Sequence, residues 1–266
     1  MSEQIILCEQ IENKVLVYDI ADLRTPVWSW KTDHECLVNI SGVKRRSHPV
    51  FGDVVLLCAS GGYCAMVSYP EGKILWETVS KGNCHSIELL PSGKIATASS
   101  HGNIVRLFSS PDEFISVEAE YSHGVLYDPE RDSLWVLERN RICELDPDSL
   151  KVKGNVCDFR NVLDGGHDLA PFYGDTNLLW LTGHNGIFLY NKSENRVYRA
   201  KELPSQNVKG VGNIPDTNMV FAVWQTGTYQ PWCTDEIHCF ENGKESIVRH
   251  ENAAYYKLRI FDARYQ

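Results

Sequence analysis

The chain has 266 residues, 43% of them hydrophobic, and its 26 Lys and Arg against 35 Asp and Glu give a formal net charge of −9. That acidic balance argues against a broad nucleic-acid or anionic-membrane surface, because phosphate binding rests on clustered Lys and Arg. No apolar run approaches the ~20 residues of a spanning helix, and the stretch Met-Ser-Glu-Gln-Ile-Ile-Leu-Cys-Glu has neither the basic nor the apolar region of a signal peptide, so a cytoplasmic protein is expected.

No low-complexity linker or charge block interrupts the sequence, which predicts one domain over residues 1–266. Residues 5–8, 15–18 and 27–30 read as three strands with no strand before them. From there a basic residue or a histidine recurs at what reads as one structural point: Lys44, His85, His123, His167, Lys209 and Lys257, spaced 41, 38, 44, 42 and 48 residues apart. Four-stranded propeller blades repeat with this period, about 40–50 residues. The short strand that follows each such residue ends in a turn, such as Leu90-Pro91-Ser92-Gly93, Asp128-Pro129-Glu130-Arg131 or Tyr173-Gly174-Asp175-Thr176. Second strands are predicted over 95–98, 133–137 and 178–181, and third strands over 104–108, 142–145 and 187–190. A last strand over 257–261 has no blade of its own, and pairing it with the first three completes a sixth blade and leaves no open sheet edge. The expected fold is all-β, a six-bladed propeller of four-stranded antiparallel blades closed by the C-terminal strand.

In such a meander the first strand starts at the rim to which the loop between strands two and three returns. The six recurring residues therefore form a floor, walled by loops 60–63, 99–103, 138–141, 183–186 and the long 226–234. The long loop carries Tyr229, Pro231 and Trp232, a cluster suited to covering a ligand or stacking on a sugar ring, and His101 and His184 occupy equivalent rim positions.

His85, His123 and His167 come from consecutive blades. Three neutral imidazoles can converge on one divalent cation such as Mn, Zn or Fe and leave positions open for water and substrate. The same residues also read as metal-free catalytic or ligand-binding histidines, or as structural histidines of the Gly-His kind seen in WD-type repeats, whose companion Trp-Asp dipeptide is absent here. Opposite them, Lys44, Lys209 and Lys257, with Arg46 and Arg259 on the same strands, form a half suited to the carboxylate, sulfate or phosphate of a small anionic substrate. Glu88 and Asp168 are placed to orient the histidines or to act as bases. His34, His48, His238 and His250 lack counterparts in other blades and read as surface or packing residues. Trp28, Trp30, Trp76, Trp135 and Trp180 are expected to pack between blades. The nine cysteines, with no Cys-x-x-Cys pair, read as reduced and mostly buried. Nucleophile elbow, phosphate loop and dinucleotide fingerprint are all absent, and Gly72-Lys73-Ile74-Leu75-Trp76-Glu77 looks like an outer strand of quinoprotein-type repeats without implying a quinone.

The segments Asn83-Cys84-His85-Ser86-Ile87-Glu88, His123-Gly124-Val125, Gly165-Gly166-His167-Asp168-Leu169, Val208-Lys209-Gly210 and Tyr256-Lys257-Leu258-Arg259 resemble bacterial six-bladed propellers of a domain-of-unknown-function kind, WD40-like and quinoprotein-like. The resemblance spans the chain and implies the fold but no reaction. A looser similarity is to oligogalacturonate lyase, a seven-bladed propeller whose channel holds a divalent metal on histidines and sets basic groups against a uronate; it implies a metal on His85, His123 and His167. Two expectations follow. One is an enzyme acting on a small anionic carbohydrate or related acid, a metal-assisted lyase or hydrolase in which the metal acidifies the proton next to a carboxylate and a nearby base removes it. The other is a non-catalytic propeller that binds a ligand or protein partner on one face. Short polar loops suit a small molecule better than a protein interface, which is centred on aromatic anchors.

Overall fold

A computed structural model describes residues 3–204 and 206–266; Met1 and Ser2 of the N-terminal stretch, and Ser205 within the fifth repeat, lie outside the described residues. The first blade holds β1 (Gln4–Glu9), β2 (Lys14–Asp19) and β3 (Asp22–Trp30). The second is β4 (Ile40–His48), β5 (Gly52–Ala59), β6 (Tyr63–Ser68) and β7 (Ile74–Val79). The third is β8 (Cys84–Leu89), β9 (Ile95–Ser99), β10 (Ile104–Ser110) and β11 (Glu113–Glu118). The fourth is β12 (Gly124–Asp128), β13 (Ser133–Leu137), β14 (Arg141–Leu145) and β15 (Val152–Asp158). The fifth is β16 (Asp168–Pro171), β17 (Leu178–Gly183), β18 (Gly186–Asn191) and β19 (Arg196–Arg199). The sixth is β20 (Val208–Asn213), β21 (Met219–Trp224), β22 (Glu236–Glu241) and β23 (Lys244–Arg249). Finally β24 (Tyr255–Ile260) pairs antiparallel with β1, Leu258 opposite Leu7, and gives the first blade the order β24-β1-β2-β3. The predicted six-bladed propeller with its closing C-terminal strand is the observed fold.

Burial explains why these segments become these strands. Inner and middle strands are covered on both faces by the neighbouring blades, so β8, β9, β12, β13 and β20 are buried along their whole length, and short apolar or small-residue runs suffice to specify them. The outermost strands β11, β15 and β23 face solvent and mix polar with apolar residues. The hydrophobic core is divided among the gaps between blades. One cluster packs Leu126, Trp135 and Leu137 against Leu169, Leu179 and Phe188, and another sets Ile5, Leu7 and Leu258 of the first blade against Phe221, Val223 and Ile237 of the sixth. The tryptophans lie at these gaps, as the sequence suggests: the Trp28 and Trp30 indoles donate to the Pro70 and Gly72 carbonyls of the second blade, and Trp180 donates to Asn213 of the sixth. All nine cysteines are free, and eight are buried.

The channel is not an open pore. Glu88 on β8 accepts hydrogen bonds from Lys44 (2.9 Å) and from both Nε and Nη2 of Arg46 (2.7 and 2.8 Å). Asp168 on β16 accepts a forked pair from Arg259 (2.5 and 2.6 Å) and lies 3.1 Å from the Lys257 ammonium. Lys257 also donates to the carbonyls of His85 and His123 across the axis, and Lys44 to that of Val125. Burial pushes both carboxyl groups up, but the adjacent guanidinium and ammonium groups outweigh it and hold Glu88 and Asp168 below the usual carboxylate range. These pairings correct the expectation that Lys44, Arg46, Lys257 and Arg259 bind substrate. Their donors are committed to buried carboxylates, because stacked cations on converging strands need internal counter-charges to be buried at all. The expectation that Glu88 and Asp168 orient histidines or act as bases is corrected for the same reason: each is saturated by cations. Below this layer the C-terminal segment lies across the far mouth, where Arg46 donates to the Arg264 carbonyl (3.2 Å), Tyr265 donates to the Leu89 carbonyl (2.8 Å), and the Arg46 guanidinium stands 4.7 Å over the Tyr265 ring. The channel is therefore accessible from the opposite rim.

Two stability predictions follow from this packing. Leu258→Ala at the closing strand should cost about 2–5 kcal/mol in urea unfolding, whereas Val27→Ala on exposed β3 should stay within about 0.5 kcal/mol of the parent. Asp168→Asn should cost about 3–5 kcal/mol near neutrality, since it leaves Lys257 and Arg259 buried without a counter-ion. Asp168 has a folded pKa below its unfolded one, so its contribution is present above about pH 4 and is lost as pH falls through the folded value. The gap between parent and variant should therefore narrow on acidification.

Candidate functional site

A β-bulge opens the innermost strand of several blades, and it decides which side chains reach the mouth. Pairing slips by one residue between Ile40 and Gly42, between Cys84 and Ser86, and between Val208 and Gly210, leaving Ser41, His85 and Lys209 as the extra residues. In the closing strand the slip lies between Tyr255 and Leu258, opposite Leu7 and Glu9. A bulged residue stands out of the ladder and is re-aimed. His123 and His167 hold the same place, immediately before β12 and β16. The ring positions are thus Ser41, His85, His123, His167, Lys209 and Tyr256; the Ser41 hydroxyl is fully buried, donating to the Cys84 carbonyl, and the other five side chains line the mouth. The predicted ring is corrected in two blades: Lys44 lies three residues beyond the ring position and Lys257 one residue beyond, and both belong to the buried ion-pair layer.

The residue after the ring packs against the backbone of the next blade. A Cβ at Gly124 would lie 2.4 Å from that of Leu169, and one at Gly210 would lie 2.6 Å from the Leu258 nitrogen. That crowding explains Ser41-Gly42, His123-Gly124 and Lys209-Gly210, and the glycine is the sequence signal that marks Ser41, not Lys44, as the ring residue.

His85, His123, His167, Lys209 and Tyr256 form part of the wall of a cavity of about 320 Å³, together with Gln10, Asn39, Ser60, Asn83, His101, Tyr121 and Trp232. Trp232, 36% exposed, is tied in place by its indole N–H, which donates to Gln10 (2.9 Å). His101 lines the cavity from an exposed loop. His184 is exposed, with its ring 6.0 Å from that of His167, and Tyr229 is 58% exposed; neither lines the cavity. Tyr121, Gln10 and Tyr256 are site residues that the sequence reading missed. Two residues before the ring the backbone turns left-handed, at Asn39 (φ 52°), Asn83 (φ 66°), Tyr121 (φ 50°) and Gly165 (φ 61°). Asn and Gly adopt that conformation readily; a tyrosine does so at a cost. The recurrence of Asn, Asn and Gly at this offset is the signal by which Tyr121 stands out.

The three imidazoles do come together. The His85 and His123 rings stack at 4.5 Å and 23°, and the His167 ring stands perpendicular to that of His123 at 4.7 Å. Burial, the neighbouring imidazoles and the Lys257 and Lys209 ammonium groups hold His85 and His167 well below the ordinary histidine value, and burial and Lys257 take His123 down to about 3. All three are neutral at neutral pH. His123 Nδ1 must carry its proton, because it donates to the Tyr121 carbonyl (2.8 Å), which leaves Nε2 as a lone pair. Tyr256 lies 3.3 Å from His85 Nδ1, and burial pushes its phenol well up. His167 Nε2 is in contact with the Lys209 amine, and its Nδ1 is buried without a partner.

These imidazoles do not fit a metal ion as they stand. Stacked rings point their nitrogens along parallel directions, one nitrogen of His123 is committed to a carbonyl, and the Lys209 amine occupies Nε2 of His167. Among the described residues no group of three His, Cys, Asp or Glu side chains is arranged to hold a metal, and His85, His123 and His167, the ligands expected from the sequence, are not so arranged.

Lys209 differs from every other cation of the channel. It is 5% exposed, it lines the cavity, and no carboxylate among the described residues pairs with it. Burial, with the Lys257 ammonium behind it, lowers it to about 7.

Comparison with known proteins agrees with the fold and leaves the reaction open. A protein of unknown function from Bacteroides caccae is 11% identical over 98% of this chain and 99% of its own, with a TM-score of 0.68. Virginiamycin B lyase from Staphylococcus aureus is 15% identical over 80% of this chain and 71% of its own, with a TM-score of 0.56. Hydrazine synthase of Kuenenia stuttgartiensis is 15% identical over 85% and 70%, with a TM-score of 0.57. At such identities the likeness is one of fold. Among curated proteins none matches the chain in sequence. The pattern of a family of unknown function, DUF6528, matches residues 1–140, more than half of the sequence, and the chain belongs to that family.

Proposed function

We propose that the upper cavity binds a small anionic carbohydrate or related acid and acts on it by proton transfer, without a metal. Lys209 carries this reading: it is a buried amine on the cavity wall whose positive form has no counter-ion among the described residues. A ligand carboxylate, sulfate or phosphate would supply that counter-ion through a charge-assisted hydrogen bond. Beneath it, four cations (Lys44, Arg46, Lys257 and Arg259) are set against only two carboxylates, and the surplus positive field favours an anion at the mouth. Trp232 and Tyr121 add aromatic surface of the kind that packs on a sugar ring.

An elimination beside a carboxylate needs a base for the α-proton and an acid for the leaving oxygen. His123 presents a lone pair at Nε2, and Tyr256 keeps its proton across the physiological range, so the two suit those roles. The fold-level likeness to a lyase agrees with this class over hydrolysis.

Thermal unfolding with galacturonate, glucuronate and neutral galactose tests the reading. The two acids should raise the transition and galactose should not, since a ligand bound to the folded state adds stability. EDTA should leave the acid effect in place. The effect should weaken as pH rises through about 7, where Lys209 loses its proton among His167, Lys257, Tyr256 and Cys233. Lys209→Met should abolish it and also raise the stability of the ligand-free protein. The folded pKa of Lys209 lies below its unfolded value of 10.5, so its destabilising effect is complete below about 7 and fades as pH climbs toward 10.5. Equal stabilisation by galactose, or an acid effect that survives in Lys209→Met, would overturn the reading.

A further inference from the structure

The amine that lacks a carboxylate partner among the described residues is also placed as a nucleophile. We propose that Lys209 forms an imine with a carbonyl group of the ligand, so that the site takes acids bearing a carbonyl carbon: 2-oxo acids, or acidic sugars in their open-chain form. This rests on the preceding reading of the cavity as an acid-binding site and narrows its substrate class.

Imine chemistry demands an amine that can present a lone pair at a pocket wall, a neighbouring acid to protonate the carbonyl oxygen, and exclusion of bulk water. Lys209 meets the first demand through placement. The other channel cations are fixed on Glu88 or Asp168, whereas the Lys209 amine is in contact with the imidazole of His167 and stands 5.9 Å from the Tyr256 ring. Its position within the positive surroundings set by Lys257 is the arrangement that activates a lysine beside a second cation. Tyr256 keeps its proton and is the acid; His167, in contact with the amine, accepts the proton the nitrogen sheds. The atoms balance: the amine lone pair attacks the carbonyl carbon and the C=O π pair becomes a hydroxyl with a proton from Tyr256. The carbinolamine then expels that hydroxyl as water, carrying the proton that His167 had taken from the nitrogen, while the nitrogen lone pair forms the C=N bond; the product is the protonated imine and the Tyr256 phenolate, which regains its proton from water, with no change of oxidation state. The protonated imine keeps the positive charge that the acid group of the same ligand pairs with, so one side chain serves both binding and activation.

Borohydride reduction tests this on the full chain. With pyruvate as the probe, the protein should gain the mass of one reduced adduct, and peptide mapping should place it on Lys209 in preference to the exposed lysines. Lys209→Arg, which keeps a cation but offers no imine, should lose that adduct while still unfolding cooperatively. Since either variant could disturb packing, the map of the parent protein decides by itself: an adduct spread over surface lysines, or none, overturns the inference. Acid-induced stabilisation read in parallel separates the two claims. Stabilisation by galacturonate without trapping sinks the imine alone, and loss of both sinks the acid-binding site as well.

Discussion

The charge balance inside the channel is the constraint on which the rest depends. Glu88 and Asp168 are the carboxylates around which Lys44, Arg46, Lys257 and Arg259 are buried, each forked onto an arginine and joined to a lysine from a different blade. Because the strands that carry these six groups belong to four blades, the pairs tie the second blade to the third and the first to the fifth across the axis. A low-dielectric interior makes such contacts strong and makes any unpaired member costly. Two carboxylates cannot neutralise four cations, so the layer keeps a positive surplus, and that surplus is what acts on everything above it. The imidazoles remain neutral and Lys209 is lowered to about 7 first because they are buried and then because lysine ammonium groups lie beside them.

Above the floor, backbone geometry decides which side chains reach the ligand. The bulge at the head of the innermost strand inserts one residue out of phase and turns it toward the mouth, and the following residue then runs against the next blade. Ring identity is thus set by a local defect in pairing, and the side chains at the cavity include one that charge alone does not suggest, Tyr256. Tyr121 enters by the same route: a left-handed turn two residues upstream, filled by Asn or Gly in other blades, is filled here by an aromatic ring.

This is also why the fold was legible in the sequence and the site only in part. Blade period, turn chemistry and the orphan strands at the two ends depend on local hydrophobic pattern, which survives in any one sequence; they predict six blades and the closure of β24 on β1. The histidine half of the ring was legible because His85, His123 and His167 all stand at the strand head. The lysine half was not, because Lys44 and Lys257 are cations on the correct strands at the wrong register. A strand changes face with every residue, so an offset of one or three residues about a bulge separates a cavity wall from a buried ion pair without altering composition. The pairing of Glu88 with cations of the neighbouring second blade, and of Asp168 with cations of the first, lies in tertiary geometry that spacing along the chain does not encode.

The same register argument bears on the chemistry. Removing a proton beside a carboxylate leaves an electron pair that must be accommodated, and a divalent cation on three imidazoles is one means of doing so. Here the third imidazole is in contact with an amine, and two of the rings are stacked, so the positive centre available at that point is nitrogen. An iminium on Lys209 draws electrons from the adjacent carbon as a Lewis acid does and needs no ligands beyond the wall that already holds it. Its charge is matched to a carboxylate on the same small molecule, and the lone pair on His123 Nε2 lies within the same cavity to take the proton. On this view the feature that rules out the expected metal geometry, a lysine lodged against His167, is the one that supplies the electron sink in its place.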